Sequence, residues 1–315
     1  MQESTHTLIY RRLDLQSDLA ALFSLLHEIA QTDQTGEQLT EASLHEQLTW
    51  SGQDPALNNR VVALPDRTSL VGYGIIQKTS TDANADLYIA VHPSWRCQGI
   101  GSQLFSRLLE RAFELDTQAL RAYAPAQNEG AKLFVRKQGF EPVSTFTRLG
   151  LRAIQSFPDP ALPQGFTVRS YDQIERVDLY TEALNRSYEG YWGHLQCTTE
   201  EVTRFLPHLN HAGIFLLFAP DGTIAGTCRA TINEPLTGEH EAPTALIDAP
   251  GIVAQYRGAY LALPLLLTAI HWLLSQRPAM LEIEAWGEAP DTLEIYRSLG
   301  FTTTKEEISY RRSLK

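Results

Sequence analysis

Two landmarks in this 315-residue chain recur at one spacing. Arg96 returns as Arg257, within Ala254-Gln255-Tyr256-Arg257-Gly258-Ala259-Tyr260-Leu261-Ala262. Gln138-Gly139-Phe140 returns as Leu299-Gly300-Phe301. Each pair stands 161 residues apart. Independent landmarks with a common offset imply two copies of one domain, each about half the chain; two copies are too few for a solenoid. The length is by itself a soft prior for two domains. With 43% hydrophobic and 20% charged residues, each half can bury an ordinary core. Between the copies, Ser156-Phe157-Pro158-Asp159-Pro160-Ala161-Leu162-Pro163 reads as a stiff extended linker. The expected arrangement is a domain over 1–155, a linker over 156–164 and a second domain over 165–315.

Both halves repeat one order of elements, which predicts an α/β fold with a mixed sheet in each. In the first, Leu19, Leu22, Phe23, Leu26 and Ile29 recur at helical spacing, and Thr40–Leu48 reads as a second helix. Arg60–Ala63 and Leu70–Gln77 form a hairpin, followed by a strand ending at Val91 and a helix carrying Leu104, Phe105, Leu108 and Ala112. Ala119–Tyr123 is a strand, Asn128–Lys137 a helix and Pro142–Leu149 a last extended segment. In the second, Thr198-Thr199-Glu200-Glu201 has the form of a capping box. Asp221-Gly222 is a strong hairpin signal.

Arg96-Cys97-Gln98-Gly99-Ile100-Gly101 joins the Val91 strand to the next helix. Such a turn leaves backbone N–H groups pointing outward at a helix N-terminus, a ready site for phosphate. Gly99 and Gly101 present no side chain and tolerate positive φ, and Arg96 adds positive charge.

A net charge of −11 disfavours a nucleic-acid surface and mildly favours a cationic acceptor such as an amine. Three dispersed cysteines, Cys97, Cys197 and Cys228, argue against a disulfide framework. Met1–His6 shows no signal pattern, and Leu261–Leu274 falls short of the ~20 residues of a membrane span. The histidines show no metal-ligand spacing. A cytoplasmic protein without metal, nucleic-acid or membrane partners is expected; a homodimer is left open.

The element order resembles the GNAT superfamily of acyl-CoA-dependent N-acyltransferases, as do Val91-His92-Pro93, Arg96, Gly99, Gly101, Asn128, Ala131, Gly139 and Phe140. The resemblance implies two GNAT-like domains in tandem, acetyl-CoA as co-substrate and a small-molecule primary amine as acceptor. It implies that the amides of Gln98, Gly99, Ile100, Gly101 and Ser102, with Arg96, Cys97 and Asn128 nearby, hold the donor diphosphate. It also implies that the Val91 strand splays from its neighbour, pairs with the pantetheine amides and offers an N–H to the thioester oxygen. The family's usual acid, a tyrosine four residues before Gly-Phe, corresponds to Tyr296; Asp86 stands where some members place a base. A catalytically inactive CoA-binding module and a protein N-acetyltransferase are the alternatives.

The copies diverge at the site itself. The acid position is Val135 in the first half and Tyr296 in the second; the cradle position is Gly99 in the first and Tyr260 in the second. A tyrosine there is expected to occupy phosphate space. Tyr188-Glu189-Gly190-Tyr191-Trp192-Gly193-His194 suits a cationic or ring-bearing acceptor, or packs down on the sheet.

Overall fold

The computed structural model describes residues 7–35, 39–49, 54–66, 68–78, 82–152, 156–233, 243–257, 260–288 and 290–314. Met1–His6, and Gly258-Ala259 of the second loop, lie outside these. The chain divides into two compact units. One is drawn from 1–124, 128–143 and 309–315, the other from 125–127 and 144–308.

The first unit runs β1 (Ile9–Arg12), α1 (Leu15–Asp33), α2 (Glu41–Thr49), α3 (Pro55–Asn58), β2 (Asn59–Ala63), β3 (Leu70–Gln77), β4 (Asn84–Val91), α4 (Ile100–Glu114), β5 (Ala119–Pro125) and α5 (Glu129–Lys137). Strands β1 to β4 are antiparallel neighbours in order, and β5 lies parallel to β4. Helix α1 begins at Asp14, whose carboxylate accepts from Gln16 N at 3.1 Å. In its first turn the buried Asp18 pairs with both Nη atoms of Arg11, at 2.5 and 2.7 Å. Helix α4 lays Ile100, Leu104 and Leu108 on the sheet, all under 2% exposed. It lies so close that a Cβ at Gly74 of β3 would stand 2.7 Å from Leu108 Cδ1.

The second unit takes β6 (Glu141–Leu151) from Ser144 onward, then β7 (Thr167–Ser170), α6 (Val177–Ser187), α7 (Thr199–Phe205), β8 (Ile214–Phe218), β9 (Ile224–Asn233), β10 (Thr244–Asp248), β11 (Gly251–Ile252), α8 (Ala262–Ser275), β12 (Met280–Trp286), α9 (Pro290–Ser298) and β13 (Thr302–Ser313) up to Ile308. Its core gathers on α8, where Leu265, Leu266, Ile270 and Leu273 have no exposed surface. The capping box forms as written: Thr198 N donates to Glu201 at 2.8 Å and Glu201 N to Thr198 Oγ1 at 3.2 Å. Asp221-Gly222 turns β8 into β9, with Gly222 at φ +81°.

The recurring Gly-Phe is a helix terminator. Gly139 (φ +79°) and Gly300 (φ +96°) stop α5 and α9 in the left-handed region. Their amides donate to Arg136 O and Arg297 O, both at 2.9 Å. The next amides reach one residue further back, Phe140 N to Val135 O at 3.2 Å and Phe301 N to Tyr296 O at 3.3 Å. Both phenylalanines are buried.

The compact units do not follow the sequence repeat. Phe146–Leu151 of β6 belongs to the first copy, yet it pairs antiparallel with β12. The last residues belong to the second copy, yet Leu314 N donates to Gln118 O at 2.9 Å and Arg312 Nη1 to Gln138 O at 2.5 Å. The boundary between these compact units lies at 143/144, upstream of the proline segment at 156–164. Inside the expected linker, Phe157 is 9% exposed and packs with its ring tilted 6.5 Å from that of Phe301, while Pro158 O accepts from His271 at 3.0 Å. The prolines stiffen that segment, but a buried phenylalanine keeps it against the second unit's core.

Candidate active site

The register of β4 decides which of its backbone groups are free. His92 N donates to Val71 O at 3.0 Å, and Ala90 stands opposite Tyr73. In an antiparallel ladder alternate residues turn their polar groups the same way. The even-numbered residues of β4 therefore face β3, and Ile89 and Val91 face away. On that other side the pairing to β5 lasts only from Asn84↔Ala119 to Asp86↔Arg121. Past Asp86 the two strands splay. Arg96 Nε takes Val91 O at 3.1 Å, so Ile89's N–H and C=O and Val91's N–H are the groups no neighbouring strand takes.

Beside this edge the chain enters α4. Gly99 caps the helix at φ +84°, and a Cβ built there meets nothing within 4 Å. The amides of Ile100, Gly101 and Ser102 are first-turn donors with no intrahelical acceptor. Cys97 is also left-handed (φ +62°), with an exposed free thiol. Gly101 is helical, and its role is contact: a Cβ there would lie 3.2 Å from Phe134 of α5.

Two expected ligands and the candidate base are engaged with the protein itself. Both Nη atoms of Arg96 hold Asp33, at 2.8 and 2.7 Å, so its positive charge is already matched. Asn128 caps α5 by accepting from Ala131 N at 2.9 Å. Asp86 is held by Arg121 through two 2.8 Å bonds and accepts from Tyr123 at 3.3 Å. Burial, and then Asp86, push the Tyr123 phenol up to about 12. Val135 is buried and brings no acid.

The second unit shows the converse arrangement. Tyr260 adopts the conformation of Gly99, at φ +53°, while its side chain is 89% exposed. The ring stands in solvent rather than packed on the protein. Arg257 repeats Arg96, donating Nε to Ile252 O at 3.0 Å and Nη2 to Glu189 O at 2.6 Å, 5.1 Å from the Tyr191 ring. The β10–β12 ladder ends at Asp248↔Glu284.

Tyr296 is 1% exposed and its hydroxyl has no hydrogen-bond partner. Burial, then Glu288, then Cys228 and Tyr191 push its phenol well above the usual tyrosine range. Asp248 pairs with Arg229 at 2.7 Å; burial raises its carboxyl and Arg229 opposes the shift. In the aromatic loop, Tyr188 donates to Ala249 O at 2.9 Å and packs where Gly251 leaves room, since a Cβ there would lie 2.8 Å from its ring. Tyr191 and His194 each stand 6.0 Å from Tyr188. Burial lowers the His194 imidazole, which favours its neutral form.

Residues 23–140 match the model of the Acetyltransferase (GNAT) family. A mycothiol acetyltransferase of Arthrobacter sp. (strain FB24) is 24% identical over 247 residues, 76% of this chain and 74% of that protein. The crystal structure of a GCN5-related N-acetyltransferase from Sphaerobacter thermophilus superimposes with a TM-score of 0.75 at 20% identity, covering 98% of this chain and 96% of that one. A tandem GNAT protein from the clavulanic acid biosynthesis pathway does so with 0.65 at 19%, covering 97% and 98%. The fold is that of tandem GNAT structures. The chain carries a GNAT-family acetyltransferase domain and is an N-acetyltransferase that uses an acyl-CoA co-substrate. Among the described residues no helix is long and apolar enough to cross a membrane, and no cluster of three His, Cys, Asp or Glu could hold a metal.

Proposed function

We propose that this enzyme transfers acetyl from acetyl-CoA to a primary amine of a small molecule. The first unit binds the donor through the amides from Gln98 to Ser102 and the free edge of β4. The second runs its own transfer with an altered cradle, Tyr296 protonating the departing thiolate there. The reading rests on one observation above all, a left-handed glycine with open space around it beside a strand edge left without a partner. Small-amine chemistry is supported by the relatives, which are named mycothiol acetyltransferases.

The chemistry matches the residue types. An amine of pKa roughly 10 arrives protonated and must lose a proton before attack. A positioned N–H stabilises the thioester oxygen as charge gathers on it. Arg96 and Asn128 act as positioning residues here. Arg96 holds the Val91 carbonyl so that the amide beside it stays exposed, and Asn128 fixes the start of α5. Catalysis is placed in the second unit because a buried valine occupies the acid position of the first.

Titration calorimetry with acetyl-CoA tests the donor site. Gly99→Tyr should remove the first unit's binding site. An isotherm identical to that of the parent protein would overturn the assignment.

A further inference from the structure

The second unit holds a carboxylate that neither motif nor repeat points to. Glu288 follows Gly287, which turns the chain out of β12 at φ +80°, beyond the point where β10 and β12 stop pairing. Its Oε2 is shielded from solvent and has no hydrogen-bond partner. Tyr296 OH, Trp192 Nε1 and His194 Nε2 share that condition in the same unit. Glu288 and Tyr296 belong to one cluster with Tyr191 and Tyr188, because the charge of Glu288 raises all three phenols, and His194 joins it 6.0 Å from Tyr188. A buried polar atom without a partner is destabilising. Several of them together, an acceptor-only group among donors and phenols, form the lining of a place that a polar ligand fills.

We propose that Glu288 is the group that takes the proton from the acceptor ammonium in the second unit; this rests on the reading that the transfer takes place there. The carboxylate lone pair on Oε2 accepts one N–H proton. The freed amine attacks the thioester carbonyl, so that a C–N bond forms and the C–S bond breaks. Tyr296 gives its proton to the leaving sulfur and regains one from the attacking nitrogen, and the proton on Glu288 leaves to water. The rings of Tyr188 and Tyr191, 6.0 Å apart, both feel the charge of the same carboxylate and suit a cation. Burial raises the Glu288 carboxyl to about 7, while the backbone amides of Glu288 and Trp286 pull the other way. A base near neutrality is matched to its task. The other titratable neighbours of the cluster are the Asp248–Arg229 pair, Cys228, His194 and Arg257.

The test compares wild type, Glu288→Gln and Tyr296→Phe. Thioester cleavage is followed against a panel of primary amines from pH 5.5 to 9.5, alongside melting and acetyl-CoA calorimetry. The expected result for Glu288→Gln is a loss of roughly 100-fold or more in kcat/KM at neutral pH, with melting and donor affinity unchanged. The acidic limb near pH 7 should vanish, leaving a rate that climbs with the free-amine fraction. If Glu288→Gln keeps wild-type rate and pH profile while Tyr296→Phe is impaired, the assignment of Glu288 falls and the second-unit reading stands. If both variants match wild type, or wild type cleaves no thioester with any amine, both fall.

Discussion

Arg96 and Arg257 make one bond in two places. Each donates Nε to the carbonyl five residues before it, Val91 O at 3.1 Å and Ile252 O at 3.0 Å. Each also ties that strand end to the chain at the close of an earlier helix, Asp33 at the end of α1 in one case and Glu189 O just past α6 in the other. The arginine occupies the last outward carbonyl of a splayed strand and leaves the adjoining N–H free. This scaffolding role explains why it recurs where the glycine turn does not.

If Arg96 acts through Asp33, the pair should show coupling. Arg96→Ala is expected to destabilise the protein by about 1–2 kcal/mol, as for a half-buried bond to a charged group. Asp33→Ala should do much the same. The double variant should be less destabilised than the sum, measured by denaturant unfolding, because each single change removes the same bond.

Tyr296→Phe should separate activity from stability. The hydroxyl is buried and unpartnered, so its removal should leave stability unchanged or raise it by up to about 1 kcal/mol. Turnover should fall by a factor on the order of 100 or more. A clear drop in melting temperature would reveal a structural bond and count against an acid role.

Tyr260→Gly should relieve a strained backbone. A side chain in the left-handed region costs about 1–2 kcal/mol, and the added freedom of glycine in the unfolded chain returns part of that. A net gain of roughly 0.5 kcal/mol is expected by chemical denaturation. A loss would mean that the exposed ring holds something in place.

Deleting 309–315 should damage the unit that carries Gly99. Tyr310 there has no exposed surface, and Arg312 lies 5.2 Å from the Phe105 ring. Loss of a large buried aromatic alone costs ~3–5 kcal/mol. Acetyl-CoA binding should weaken or vanish, whereas a chain shortened only at Lys315 should bind as before.

Local features were legible in the sequence because their causes are local. The Thr198 capping box, the Asp221-Gly222 hairpin and the left-handed Gly99 are each fixed by a few adjacent residues. Glu288 carried no such signal. Its burial and its nearness to Tyr296 and Tyr191 come from the fold, and only there does an ordinary loop glutamate become conspicuous. The partner of Arg96 was hidden in the same way, since Asp33 lies 63 residues away. The placement of Phe146–Leu151 against β12 was beyond reach, because an alternating strand does not name its neighbour.

The division at 143/144 has a consequence for biogenesis. Residues 309–315 leave the ribosome after all of the second unit, yet the unit holding the glycine cradle is unfinished without them. The amino-terminal half therefore waits for the carboxy-terminal one before it can mature, and severing the chain at its prolines would yield two incomplete fragments rather than two working modules.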